Sequence, residues 1–485
     1  MQHSKHTRHT LTLRLPAQHA MLLLRHCLVA QINAKLRMLP PDLTREAATM
    51  AGDAVIGCCL NILRVQQPAK EGWDIARARR LASLPLRLGG LGLLDPLETA
   101  PAAFLAGTGE ALHLLRASHP NLYIFLFQHT NPSNLDANLI YHYSTMDSRA
   151  FCAGIRSGLD WVKSTVEEAI SAKIIARPAH DEERLYPHTA DLLRDTPAKL
   201  QHRLTDMHHQ LAWLKVLNSL TQEQKAVLRS ASEAGASAAF YAIPSSKHLF
   251  IRTDLYIIQA RDRIMLPGVD DDIPPCRSNP CANHPPTTYD DKDLACRALR
   301  RHQHNSAHTT RHNLVVKEFA AMFRAMEVPV TFEPIVISTP SEERRGDLLI
   351  RDPSGNNVIY DVSIVDPSGH AYSQLAAKQA GEAAKTAKKN KINKYAALCS
   401  GRAVFVPLIF ESTGFIEEDV RSVLSGLRRR ETDGYDCIPE YSTWAAPDAQ
   451  QYWLQRISIA LQRGNALCVL QALETRRTGG RTIAY

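Results

Sequence analysis

Apolar positions over the first 65 residues recur at helical spacing. Met21, Leu22, Leu23 and Leu24 open a stripe that Val29, Ile32 and Leu36 continue, until Met38-Leu39-Pro40-Pro41-Asp42 breaks it. A second amphipathic stretch covers residues 45–65. The apolar segment Leu84-Pro85-Leu86-Arg87-Leu88-Gly89-Gly90-Leu91-Gly92-Leu93 predicts a tight turn with close backbone packing, since glycine reaches conformations that other residues avoid. A phosphate cradle is the weaker reading, because no G-x-x-x-x-G-K-[ST] spacing follows.

Residues 94–264 stay mostly helical, most clearly at 160–175, 190–216 and 221–239. The stretch 267–286, rich in Pro, Asp and Asn, marks a boundary. Beyond Arg311 the periodicity changes. A helix carrying Leu314, Val315, Phe319, Met322, Phe323 and Met326 precedes three strand-like runs at 330–337, 347–351 and 357–365. A long Ala/Lys helix over 371–398 and a strand over 403–410 follow, with further helices at 450–462 and 466–473. The expected fold is multidomain α+β, a mostly α-helical N-terminal half followed by a C-terminal α/β domain with the order α-β-β-β-α-β. The corresponding divisions are 1–93, 94–265, 266–310, 311–425 and a helical tail at 426–485.

The chain has 485 residues, 45% of them hydrophobic, enough for packed cores. Its net charge of +8 fits a polyanionic partner without requiring one. Ten cysteines are too sparse for a disulfide scaffold and read mainly as buried thiols in a reducing compartment. No secretory signal is evident, and no run reaches the roughly 18–20 apolar residues of a membrane span.

The chemistry concentrates around two aspartates. Asp347 lies in Gly346-Asp347-Leu348-Leu349-Ile350 and Asp361 in Val358-Ile359-Tyr360-Asp361-Val362-Ser363-Ile364-Val365, with Asp352-Pro353-Ser354-Gly355-Asn356-Asn357 as a turn between them. That pattern reads as a β-hairpin, the first carboxylate entering it and the second within its return strand. Carboxylates on adjacent strands can share a Mg²⁺ ion, which activates water against a phosphodiester. An aspartate inside an apolar strand is informative, because an unpaired buried charge costs several kcal/mol. Phosphoryl transfer also calls for a nearby cation, and Ser363 stands where restriction-like nucleases carry a lysine. The amine is therefore expected from the following helix. At about 100° per residue, Lys378, Lys385 and Lys389 share one face, while Lys391 and Lys394 point nearly opposite. Lys391 or Lys394 is the expected inward amine, with Lys378 as fallback. The first group, with Arg344 and Arg345, is expected to grip phosphates or remain solvated. Glu333 and Glu318 are candidate third acids.

Cys276, Cys281 and Cys296 cluster among polar residues, with His284, His302, His304 and His308 nearby. Zinc prefers four tetrahedral N/S ligands, so a Zn²⁺ knuckle is expected from the three cysteines and either His284 or His304. The x4 spacing of the first pair is looser than the usual C-x2-C.

These residues resemble the restriction-like endonuclease of site-specific non-LTR retrotransposons. The resemblance rests on Gly346-Asp347, Asp361-Val362-Ser363-Ile364, Lys391-Ile392-Asn393-Lys394-Tyr395 and Pro407-Leu408-Ile409-Phe410-Glu411, with Arg311-His312-Asn313 upstream. Leu24-Arg25-His26-Cys27 and the glycine segment are similar to the thumb and post-palm regions of such polyproteins. The resemblance implies a nuclear, Mg²⁺-dependent endonuclease that nicks a DNA target strand, with element RNA as a further partner and no membrane. The Tyr/Phe-x-Asp-Asp turn of reverse transcriptases has no counterpart, since Tyr289-Asp290-Asp291 lacks the spacer. Two alternatives follow: a decayed retroelement relic that only binds nucleic acid, or a helical scaffold without a nucleic-acid role.

Overall fold

The first apolar stripe forms helices Ala17–Leu23 and Val29–Leu36, joined by a π-helical turn at Leu24–Leu28. The second forms Pro41–Ile62, with Pro41 at its first position, where a missing N–H leaves no bond unmade. These elements belong to a computed structural model that describes residues 15–65, 73–120, 146–174, 199–267, 307–339, 342–352, 354–399, 403–432 and 443–477.

The glycine segment is a packing device, as its apolar composition predicts. Gly89 takes φ +80°, and a Cβ on Gly90 would stand 2.1 Å from the Leu84 carbonyl oxygen. The polar groups that secure the segment are its carbonyls. Arg25 Nε donates to Leu91 O at 2.9 Å, and Arg263 donates to Gly90 O and Leu86 O, each at 2.8 Å. Burial pulls the Arg263 guanidinium down to about 10.

Helices Pro96–Ser118, Met146–Ser171 and Leu200–Asn218 continue the helical half. Helix α1, Gln222–Ala231, starts at a capping box between Thr221 and Gln224. The helix expected over 221–239 is divided, because Gly235 turns the chain at φ +87° before a short helix at Ala238–Tyr241.

The change of periodicity after Arg311 marks a real change of architecture. Helix α2, Ala307–Ala325, leads into strands β1 (Thr331–Phe332), β2 (Ile335–Thr339), β3 (Glu342–Arg345), β4 (Leu348–Arg351) and β5 (Asn357–Val365). Helix α3 (Glu382–Cys399), strand β6 (Val404–Glu411), helix α4 (Glu418–Thr432) and helix α5 (Ala449–Arg477) complete the order. The main sheet runs β1-β4-β5-β6, antiparallel at β1/β4 and β4/β5 but parallel at β5/β6. The strand expected over 330–337 is split, because Glu333 takes φ +47° and Pro334 follows it. Strands β2 and β3 then pair separately as a two-stranded ribbon, which the hydrophobic pattern did not reveal.

The helices expected at 450–462 and 466–473 are one continuous α5, and it packs along α2 rather than trailing as a tail. Arg311 donates to Asn465 Oδ1 at 3.0 Å, and Arg456 pairs with Glu318 at 2.6 Å. One apolar cluster includes Met21, Leu91, Tyr256, Phe319, Leu348 and Trp453, so the sheet shares its core with the helical half and α5. The molecule is thus mixed α+β. No described helix is long and apolar enough to cross a membrane.

Gly464 permits the α2–α5 contact. A Cβ there would meet the Arg311 Cγ at 2.5 Å and its Cα at 2.7 Å. Helix propensity alone favours Gly464→Ala by about 1 kcal/mol. The clash should reverse that gain, and thermal denaturation should show a less stable protein by about 1–3 kcal/mol.

Candidate active site at the β4–β5 hairpin

The hairpin is built as its turn residues predict. Asp352 Oδ1 accepts from Asn356 N at 2.8 Å, and Gly355 supplies the left-handed residue at φ +84°. In register, Leu348 faces Tyr360 and Arg351 faces Asn357. Asp347 N donates to Tyr360 O at 3.0 Å, so the first aspartate stands at the mouth of the ladder.

Side chains then converge. Asp347 Oδ2 accepts from Val362 N at 2.6 Å, which draws its carboxylate across to the strand that carries Asp361. Asp347 Oδ1 lies 3.0 Å from His312 Nε2, presented by α2. Lys391 Nζ, from α3, reaches Asp361 Oδ2 at 2.5 Å. That contact is an ion pair made to a buried carboxylate.

Asp361 is 5% exposed. Burial pushes its carboxyl above the usual carboxylate range; the Lys391 ammonium opposes this, the neighbouring Asp347 charge adds to it, and His312 opposes it. The two carboxylates are therefore close enough to interact, the Asp347 charge adding to the effect of burial.

Lys391 and Lys394 play different parts. Tyr395 stacks on Phe405 of β6 with ring centroids 4.9 Å apart, which anchors the end of α3. Lys394 lies over the Tyr395 ring at 5.1 Å and has no contact with either aspartate, while its carbonyl accepts from Arg344 Nη1 at 3.2 Å. Lys391 alone of the pair makes the ion contact.

The expected Lys378/Lys385/Lys389 stripe does not lie on one helix. The chain makes a short helix at Ser373–Ala376, turns at Gly381 with φ +79°, and only then starts α3. Phe415 packs so closely on Gly381 that a Cβ would stand 2.5 Å from its ring, which explains the break. Lys378, Lys385 and Lys389 are all exposed, and Lys385 pairs with Glu382 at 2.7 Å. Arg345 pairs with Glu343 at 2.6 Å. Glu318 is not a third acid of the site, because it is engaged with Arg456. Glu333 is exposed, and its amide donates to Asp347 O at 3.0 Å.

Cys276, Cys281, His284, Cys296 and His304 lie outside the described residues. Among the described residues, no three or more His, Cys, Asp or Glu side chains form a metal cage. The hairpin donor set still fits Mg²⁺, a hard cation commonly held by one or two carboxylates with water and phosphate completing the shell. Each Asp347 oxygen carries one hydrogen-bonding neighbour, which leaves acceptor capacity.

Sequence reasoning assigned two residues no role of their own, although both stand inside the motifs quoted above. His312 was visible only as part of Arg311-His312-Asn313. Glu411, the last residue of β6, is 0% exposed. It accepts from Ala384 N at 3.1 Å and from the Ser230 hydroxyl. Burial raises its carboxyl to about 7; those two donors lower it, and Asp366 and Glu233 raise it.

Because the folded Glu411 holds its proton up to about pH 7, against about 4.5 ordinarily, stability should fall as pH rises through that window. Glu411→Gln removes this loss. Urea denaturation should show the variant gaining about 3 kcal/mol relative to the parent between pH 4.5 and pH 8.

No protein-family model matches this chain. A search of curated proteins likewise finds no match.

Proposed function

We propose that this chain is a Mg²⁺-dependent DNA endonuclease that nicks one strand, derived from a non-LTR retrotransposon and acting in the nucleus. The observation that carries the reading is the meeting of Asp347, Asp361 and Lys391 where β4, β5 and α3 approach one another. The order of the sheet supports a restriction-endonuclease-like core, since β5 pairs antiparallel with β4 and parallel with β6 after a helical crossover. Mg²⁺ bound between two carboxylates supplies a nucleophile at neutral pH and neutralises charge on the phosphate.

Asp347 and Asp361 would hold the ion. The Val362 amide and His312 orient the first carboxylate, and the β5 backbone fixes the second. Lys391 stands where an ammonium can orient the attacking water and stabilise charge on the phosphorane. Lys389 and Lys394 line exposed parts of the same helix, and Arg344 reaches it from the β2–β3 ribbon; these would meet backbone phosphates with little base readout. The cysteine segment, with Zn²⁺ bound, would add a second DNA or RNA contact.

The second reading is a relic that binds nucleic acid without cutting it. It draws on the cysteine segment, where Lys292 and Asp293 stand in place of the histidine expected from related elements.

A supercoiled-plasmid assay with Mg²⁺ separates the two. Nicking should occur, disappear in Asp361→Ala, and fall about 10²–10³-fold in Lys391→Ala. Lys394→Ala should keep most of the activity. Salt-sensitive DNA binding without cutting would favour the relic; cutting that survives Asp361→Ala would remove the proposed site.

A further inference from the structure

We propose that Glu411 is a positioning residue for Lys391, and that through it the placement of this lysine depends on the docking of α1 from the helical half. Its influence on nicking rests on the endonuclease reading above; its influence on the position of Lys391 does not.

The argument begins with the face of α3. Ala384, Lys388 and Lys391 follow the i, i+4, i+7 spacing and lie on one stripe of the helix. Each is tied down separately. The Ala384 amide, one of the N-terminal donors that a helix cannot satisfy internally, donates to Glu411 Oε1 at 3.1 Å. Lys388 pairs with Glu417 at 2.9 Å and with Asp419 at 2.8 Å, just beyond β6. Lys391 then reaches Asp361. Tyr395 stacked on Phe405 holds the far end, so the fastening at Ala384 sets the start of a rigid helix whose later turns carry Lys391.

Glu411 does not stand on the sheet domain alone. The hydroxyl of Ser230, in α1, donates to its second oxygen and also contacts the Thr413 hydroxyl. Ser230 is 1% exposed and Glu411 0%, so water does not compete for these bonds. The same helix grips the segment leading into α3, with Arg229 Nε donating to Ala377 O at 2.9 Å and Gln222 Nε2 to Ser373 Oγ at 3.4 Å. Close backbone approach seals the contact, since a Cβ on Gly414 would lie 2.4 Å from Ala236 O. Undocking α1 would remove Ser230 from Glu411, and with it part of what holds the start of α3.

The test reads Lys391 directly. The 485-residue chain is pulse-labelled with an amine-acylating reagent, and mass spectrometry follows Lys391 against the exposed Lys247. Glu411→Ala should speed Lys391 acylation about tenfold. Glu411→Gln, which retains an acceptor for Ala384 N and a partner for Ser230, should restore slow labelling. Ser230→Ala, a smaller change that still folds if Glu411→Ala does not, should speed labelling several-fold and lower kcat for nicking with KM unchanged. Parental labelling rates in folded Ser230→Ala and Glu411→Ala would overturn the proposal, as would faster labelling in Ser230→Ala matched equally by Glu411→Gln. If the parent protein does not nick, the endonuclease reading fails, and the labelling arm still decides the role of Glu411.

Discussion

A carboxylate buried in an inner β-strand must be answered by positive charge, and the architecture around Asp361 follows from that requirement. The cation cannot come from β5 two residues on, where Ser363 stands. It comes from α3, so that helix has to be held at the correct height and rotation. Gly381 turns the chain into it, Lys388 ties its middle to Glu417 and Asp419, and Tyr395 stacks its end on Phe405. Desolvation offsets much of the attraction in such a buried ion pair, so it is a weak source of stability. Asp361 remains above the usual carboxylate range beside both Lys391 and Asp347.

The second constraint is the close crossing of α2 and α5. It places His312 over Asp347 and leaves Arg311 and Glu318 to the helix interface. Consecutive residues of one short motif thus serve different purposes. Arg311 faces α5, and His312 faces the hairpin. The interior uses arginine widely in this way: Arg25, Arg261 and Arg263 are buried and donate to backbone carbonyls. The basic composition therefore serves internal support as well as any polyanionic partner.

The junction between the helical half and the sheet is polar where it touches α3 and apolar around it. Ser230, Thr413 and Glu411 form the polar centre, while Ile416 and Leu454 pack against Gly235. This arrangement joins the two halves in the region that positions the lysine. It also explains why Glu411 tolerates such deep burial. Two donors meet its oxygens, and its raised pKa lets it keep a proton near neutrality.

Local patterning was sufficient for the first helices of the chain, the apolar packing role of the glycine segment and the β4–β5 hairpin, because each depends on spacing and turn chemistry within a few residues, but it ran the helix over 221–239 through the turn at Gly235. It was also sufficient to pick out Asp347 and Asp361, since a charge in an apolar strand is visible in the sequence itself. The choice of Lys391 over Lys394, the interruption before α3, the separate β2–β3 ribbon, the continuity of α5 and the engagement of Glu318 with Arg456 were decided by tertiary structure. Each depends on a partner distant in the chain: Asp361 for Lys391, Phe415 for Gly381, α2 for α5. Glu411 illustrates the limit most clearly. In sequence it is one acid at the end of a strand, and only the fold brings Ser230, 181 residues away, against its carboxylate.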